Sequence, residues 1–428
     1  LPSTIKKLIF DDDGYDEPIP PKSFILPVPS SITEINLGSY NQPLYEGFIP
    51  SSVTSLTFGS DFNQMLQGGW IPSSIRSLTF GNRFNQSLTP GVLPSSVTTL
   101  TIGDSFNQPL MIGSIPDSVT SLSFGSFFNQ PLDPLGVIPT SVTTLSFGSF
   151  FGQDLVSGQI PTSVKNLSLE YRFNQLNKGS IPESVQSLTM SDYFDQPLFD
   201  IDVPRSLTHL TLFNLGQPLS PGMIPQHIIT LILYDFNQEL KPGDIPSSVN
   251  NLYLEGSFHC TLEVGSIPES VQSLHFGEWF NQDDMVPGIL PSSITRLNLG
   301  SNFQARLCDG VIPQSVTELS LNCLGITKLE KIESLINLKT LTLNVPHDLR
   351  GYKLQPIYPT IPNNVIRCYG FYRSLVLYVR MIEEDTYMVY NQILGTFLFG
   401  RCIIDSSSSV DGQRHVKIPH IPFLTISM

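Results

Sequence analysis

Residues 49–64 read IPSSVTSLTFGSDFNQ, and residues 71–86 read IPSSIRSLTFGNRFNQ. The proline of this opening word falls at 2, 29, 50, 72, 94, 116, 139, 161, 182, 204, 225, 246, 268, 291 and 313, and after a first interval of 27 the steps are all 21 to 23. The stretch ESLINLKTLTLN (333–344) keeps the frame without the proline, since Leu338, Leu341 and Leu343 take the places of Val316, Leu319 and Leu321. About 16 repeats of 21–23 residues therefore occupy residues 1–345.

Within each copy the apolar residues sit at V-x-x-L-x-F, as in Val53, Leu56 and Phe58 or Val142, Leu145 and Phe147. The L-x-F part has the two-residue period of a half-buried strand. One copy holds a short strand and a return path, which is too little chain to bury its own apolar face. Neighbouring copies must stack to cover it, so the period predicts a mainly β solenoid with a parallel sheet of short strands and irregular or 3-10 return segments. The FNQPL word marks the return corner. Phe62, Phe84, Phe106, Phe128, Phe173, Phe236 and Phe280 recur in step and predict an internal aromatic column. The residues that follow them, Asn63, Asn85, Asn107, Asn129, Asn174, Asn237 and Asn281, are read as a scaffold ladder that pairs with the bend backbone, facing inward. Gly152, Asp195, Gly216 and His259 replace the Asn in other copies, so the ladder should be less regular towards the C-terminal half.

The alternating IPSSV…LxFG and FNQPL blocks resemble the FNIP repeat family, a leucine-rich-repeat-like family of social amoebae and amoeba-infecting giant viruses. The resemblance covers residues 1 to about 345. It implies a solenoid used for protein–protein interaction. In some members the repeats follow an F-box that recruits a ubiquitin ligase, so a substrate-recognition arm is an alternative reading if an F-box preceded residue 1.

Hydrophobic residues make up 40% and charged residues 14% of the 428-residue chain, a folding composition in which Ser, Thr, Asn and Gln replace surface charge. The net charge of −14 opposes the phosphate neutralisation that nucleic-acid binding requires, and nucleic acid is not an expected partner. Cys260, Cys308, Cys323, Cys368 and Cys402 show neither zinc spacing nor a disulfide framework, which points to a reducing, cytoplasmic setting. No apolar run is long enough for a transmembrane helix. Past residue 345 the period is lost. Residues 374–404 are rich in β-branched and aromatic side chains around a polar bend at Glu383–Thr386, which predicts a hairpin and one further strand. Residues 346–428 are read as a β-rich capping or association segment.

Catalytic signatures are sparse. STIK (3–6) matches S-x-x-K but lies in the repeat frame, and no nucleophile elbow, phosphate loop or zinc-binding helix motif occurs. His209 and His275 stand three strands apart, ~14 Å at ~4.8 Å per strand, too far to share one ion. DDDGYDE (11–17) has its glycine too early for a calcium loop. No cofactor, metal or enzymatic activity is expected. Asn85 and Asn166 lie in glycosylation sequons, the first in a corner expected to be inaccessible.

The residues that flank each central Leu point out of the sheet. From the third to the ninth copy they are small and neutral, from Ser55 and Thr57 to Ser187 and Thr189. From the tenth copy they become His209 and Thr211, Thr230 and Ile232, Asn251 and Tyr253, Ser273 and His275, Arg296 and Asn298. Tyr and Arg are enriched at interface hot spots. His209, Thr211, Ile232, Tyr253, His275, Arg296 and Asn298 therefore form the candidate face for a protein partner of unknown identity, with drift in a decaying array as the competing reading. Homo-association through the neutral surface or the apolar tail is a further alternative.

Because repeat stability is a sum over copies and their interfaces, removing one whole copy, residues 72–93, should lower the melting temperature less than removing the five residues 76–80 from within it. Thermal melts of both deletions check this, and equal losses would contradict the stacked arrangement.

Overall fold

The computed structural model describes residues 5–10, 30–169, 177–190, 203–322 apart from positions 284, 301, 304 and 306, 335–344, and the backbone of short strands between 367 and 427. The chain forms two compact units, Leu1–Gly216 and Gln217–Met428.

In the first unit ten strands pair in parallel, each with the next: β1 (Lys7–Ile9), β2 (Glu34–Asn36), β3 (Ser55–Thr57), β4 (Ser77–Thr79), β5 (Thr99–Thr101), β6 (Ser121–Ser123), β7 (Thr144–Phe147), β8 (Asn166–Leu169), β9 (Ser187–Met190) and β10 (His209–Phe213). The second unit repeats this with β11 (Thr230–Tyr234), β12 (Asn251–Glu255), β13 (Ser273–Phe276), β14 (Arg296–Asn298), β15 (Glu318–Asn322) and β16 (Thr340–Asn344). To β16 are added β17 (Arg367–Tyr372) in parallel, then β18 (Leu375–Glu383), β19 (Thr386–Asn391) and β20 (Thr396–Arg401) in antiparallel order. A small antiparallel sheet contains β21 (Ile403–Ile404), β22 (His415–Lys417) and β23 (Thr425–Ser427). The described residues contain no helix, and each unit is a parallel-sheet β-solenoid.

The repeated words fold alike in every described copy. In IPSSV the carbonyl of Pro50 accepts the N–H of Val53 at 3.1 Å, a turn repeated at Pro72, Pro94, Pro116 and onward. In nine described copies the second serine of the word links it to the copy before, as where Ser118 Oγ donates to the Val97 carbonyl at 2.6 Å and Ser141 Oγ to that of Val119 at 2.6 Å, whereas Ser31, Ser52, Ser74 and Ser248 make no such bond. Leu56, Leu78, Leu100 and Leu122 then point inward and are buried, while the residues beside each remain at least partly exposed.

The buried phenylalanines stack along the axis of each unit. Phe62, Phe84, Phe106, Phe128 and Phe151 are separated by 6.2, 6.1, 6.0 and 6.1 Å between ring centroids, with nearly parallel rings. In the second unit Phe236, Phe258, Phe280 and Phe303 follow at 6.5, 6.1 and 5.8 Å. Strands in a sheet lie ~4.8 Å apart, and the strand-side pairs Phe58–Phe80 and Phe124–Phe147 are at 5.1 and 5.4 Å. Equivalent side chains in like rotamers copy the local displacement between turns, so the turns fan out towards the corner. The strand face is the inner, concave side of each unit.

The asparagines of the corner stand outside, not inside as their position beside the Phe column suggests. Asn63, Asn107 and Asn129 are exposed, and Asn85 is half-buried, so its sequon is accessible. Once Phe turns inward, its chain neighbour must turn outward. Each Asn Oδ1 then reaches along the stack and accepts the next copy's backbone N–H: Asn85 N–H to Asn63 at 2.9 Å, Asn107 N–H to Asn85 at 2.9 Å and Asn129 N–H to Asn107 at 3.0 Å. The following Gln donates to the same oxygen, as Gln108 Nε2 does to Asn85 at 3.0 Å. Gly152 keeps the donor half, its N–H meeting Asn129 Oδ1 at 3.0 Å. In the second unit Asn237 accepts from His259 N–H at 3.3 Å and Asn281 from Ala305 N–H at 2.8 Å. Phe173, Asn174, Asp195 and residues 11–17 lie outside the described residues.

The glycine that ends L-x-F-G lets consecutive turns touch through their backbones. A Cβ on Gly103 would lie 1.8 Å from the Gly81 carbonyl oxygen, whereas one on Gly136, a turn residue at φ +93°, would meet nothing within 4 Å. Gly103→Ala should therefore cost at least about 2–3 kcal/mol through forced separation of turns, and Gly136→Ala only about 1–2 kcal/mol of left-handed backbone strain. Chemical denaturation of both variants checks the order.

Candidate functional site

Four candidate face residues become neighbours in the second unit. The register places Ile232 opposite Tyr253, Tyr253 opposite His275 and His275 opposite Asn298, one strand apart at each step. Arg296 stands on β14 beside this column, opposite Ser273 on one side and Glu318 on the other, and is exposed. His209 and Thr211 belong to the first unit, on β10, where they pair with Ser187 and Thr189. There the His209 Nδ1 lies 2.9 Å from Thr208 Oγ1.

Sequence reasoning missed two members of the face, Tyr234 and Glu255. They occupy a third outward position that exists only because β11 and β12 are five residues long. The signal was available: in these copies Tyr234 and Glu255 replace the glycine of L-x-F-G seen at Gly59, Gly81, Gly103 and Gly125. The longer strand ends in a left-handed residue, Asp235 at φ 51° after β11 and Gly256 at φ 69° after β12. Asp235 Oδ1 accepts the Ser257 N–H at 3.0 Å, which secures the bend. Tyr234 lies directly opposite Glu255 and is 40% exposed.

The centre of the face is a polar chain. His275 Nδ1 is 2.8 Å from Glu255 Oε1, its ring edge meets Tyr253 at 5.5 Å between centroids, and its Nε2 faces Asn298 Nδ2. Asn298 has its amide oriented by the Gly300 N–H, which donates to Oδ1 at 2.9 Å. The NH2 group must then point at His275, so Nε2 accepts and Nδ1 carries the proton that Glu255 takes. This is the neutral Nδ1–H tautomer, selected by the partners of both ring nitrogens. Among the described residues no group of three His, Cys, Asp or Glu could hold a metal ion. Cys260, its thiol pushed up by burial and then by Glu239, donates to Asn237 Oδ1 at 3.3 Å on the opposite corner.

The FNIP Repeat family matches this chain in eight segments, 15–61, 62–105, 106–150, 151–193, 175–213, 194–235, 236–278 and 280–324. The chain belongs to the FNIP repeat family. Among solved structures it is similar to CroV588, described as a novel circular LRR protein, at 28% sequence identity and a TM-score of 0.58. The match covers 80% of this FNIP-repeat chain and 57% of CroV588, so the chain spans little more than half of that protein's length. No curated protein matches it. The FNIP repeats are thus a leucine-rich-repeat-like solenoid of the non-catalytic scaffold type, and among the described residues no helix is long and apolar enough to cross a membrane.

Asn298→Ala removes the acceptor of the Gly300 N–H and the donor to His275 Nε2. It should cost about 1–2 kcal/mol and shift the imidazole nitrogen resonances of His275 from a single Nδ1–H tautomer towards a mixture. Nitrogen-15 NMR of histidine-labelled protein reads the second effect directly.

Proposed function

We propose that the chain is a non-enzymatic scaffold that binds a protein partner through the concave strand face of β11–β14. The observation that carries this reading is the contiguous patch Ile232, Tyr234, Tyr253, Glu255 and His275. These side chains project from the sheet, contribute nothing to the buried core, and replace a face that from β3 to β9 holds Ser, Thr and Asn166. Large, rigid aromatic groups in a concave surface bury much area for little lost side-chain entropy. His209 and Thr211 remain candidates on the first unit, with less to recommend them, since their neighbours Ser187 and Thr189 are small.

A second reading, association between copies, is favoured by one feature of the C-terminal segment. Among the described strands β20 pairs only with β19, and a sheet edge left open is a template for another chain. Light scattering separates the readings: a scaffold keeps one mass over a wide concentration range, whereas edge association raises the mass with concentration and is lost when the chain is ended near Pro346.

For the scaffold reading, a Tyr253→Ala and Ile232→Ala double variant should weaken a captured partner at least about tenfold. The control pair Thr101→Ala and Ser123→Ala on the plain face should leave it unchanged. Affinity capture with quantitative mass spectrometry makes the comparison. If every captured protein survives the double substitution, this face is not the binding site.

A further inference from the structure

We infer that the partner seated on β11–β13 is a basic protein segment, with a lysine or arginine side chain held between the Tyr253 and Tyr234 rings and the Glu255 carboxylate. This rests on the scaffold reading and specifies its occupant. The charge distribution supports it first. Residues 217–322 carry eleven Asp and Glu against three basic residues, Lys241, Arg296 and Arg306, so most of the net charge of −14 falls within about a quarter of the chain. Several of these carboxylates border the face. Glu255 lies on it, Asp235 and Glu278 are exposed where β11 and β13 leave it, and Glu318 is exposed on β15. Among the described residues the one cation on the face of β11–β14, Arg296, stands two strands from β12 and opposite Glu318.

Side-chain geometry supports it second. Ile232 and Tyr234 on β11 stand opposite Tyr253 and Glu255 on β12, giving a four-cornered patch with three large apolar or aromatic groups and one carboxylate. A cation over a tyrosine face gains from the ring quadrupole, and gains more when a carboxylate adjoins it. Glu255 is fixed for this role because His275, as a neutral Nδ1–H donor, orients one oxygen without cancelling its charge. A second copy of this chain is a poor occupant, since the same charge would repel it. An acidic partner or nucleic acid meets the same barrier.

The test uses the full chain and two fluorescently labelled probes, an Arg-Gly-Ser repeat peptide and a Glu-Gly-Ser repeat peptide, read by anisotropy. The basic probe should bind and weaken as salt rises from ~0.05 to ~0.3 M. Glu255→Gln and Tyr253→Ala should each weaken it about fivefold, with melting curves showing that both variants fold. Asp154→Asn, which removes the same charge from an exposed site on the first unit, should not change it. Equal loss with Asp154→Asn would reduce the effect to diffuse attraction and overturn the inference. If the acidic probe binds instead and Tyr253→Ala abolishes that binding, the inference falls while the docking face stands. If no binding depends on Tyr253, both fall.

Discussion

A strand of three to five residues cannot satisfy its own peptide groups, and a copy of about 22 residues cannot cover its own leucines. Both debts are met by the neighbouring copy, one strand spacing away and in register. Leu56 lies on Leu78 and Leu78 on Leu100, while the N–H and C=O groups of each strand pair with the strands on either side. Any residue that alters the separation or register of two turns therefore affects every contact between them. A serine such as Ser118, the corner asparagine and the glycine of L-x-F-G all act at that junction, by a side-chain bond to a carbonyl, a side-chain bond to an N–H, and direct backbone contact.

The same junction shapes the candidate site. Phenylalanines at the corner hold turns about 6 Å apart where strands allow only ~4.8 Å, so the strand face becomes concave and its side chains converge. From β3 to β9 that concavity is lined with Ser, Thr and Asn166, which have little reach. Beyond β9, loss of the L-x-F-G glycine lengthens β10, β11 and β12 by one outward residue, so that Phe213 enters the face in the first unit and Tyr234 and Glu255 in the second. A single change of residue type thus adds a large outward side chain to the face.

Much of this was legible in the linear sequence. The proline interval and the V-x-x-L-x-F pattern specify a stacked parallel sheet because no other arrangement buries the Leu and Phe of so short a unit. The alternation also names Ile232, Tyr253, His275 and Asn298 as outward residues. The side on which Asn63 and Asn85 stand was not legible, because a bend has no two-residue period to report direction, and the inward guess was wrong. The third outward position was also missed, since a pattern reader stops at the glycine and does not ask what happens in the copies that lack it.

By itself the sequence determined the repeat, the class of fold, the identity of the core and which strand residues point away from it, since all of these follow from local period and from the shortage of chain in each copy. Only the tertiary structure decided that the face is concave, that Tyr234 and Glu255 belong to it, and that Glu255, His275 and Asn298 form one hydrogen-bonded chain. Those depend on how turns separated by 21 to 23 residues are spaced and registered, and spacing between turns is a property of stacked phenylalanines and touching backbones rather than of any one copy.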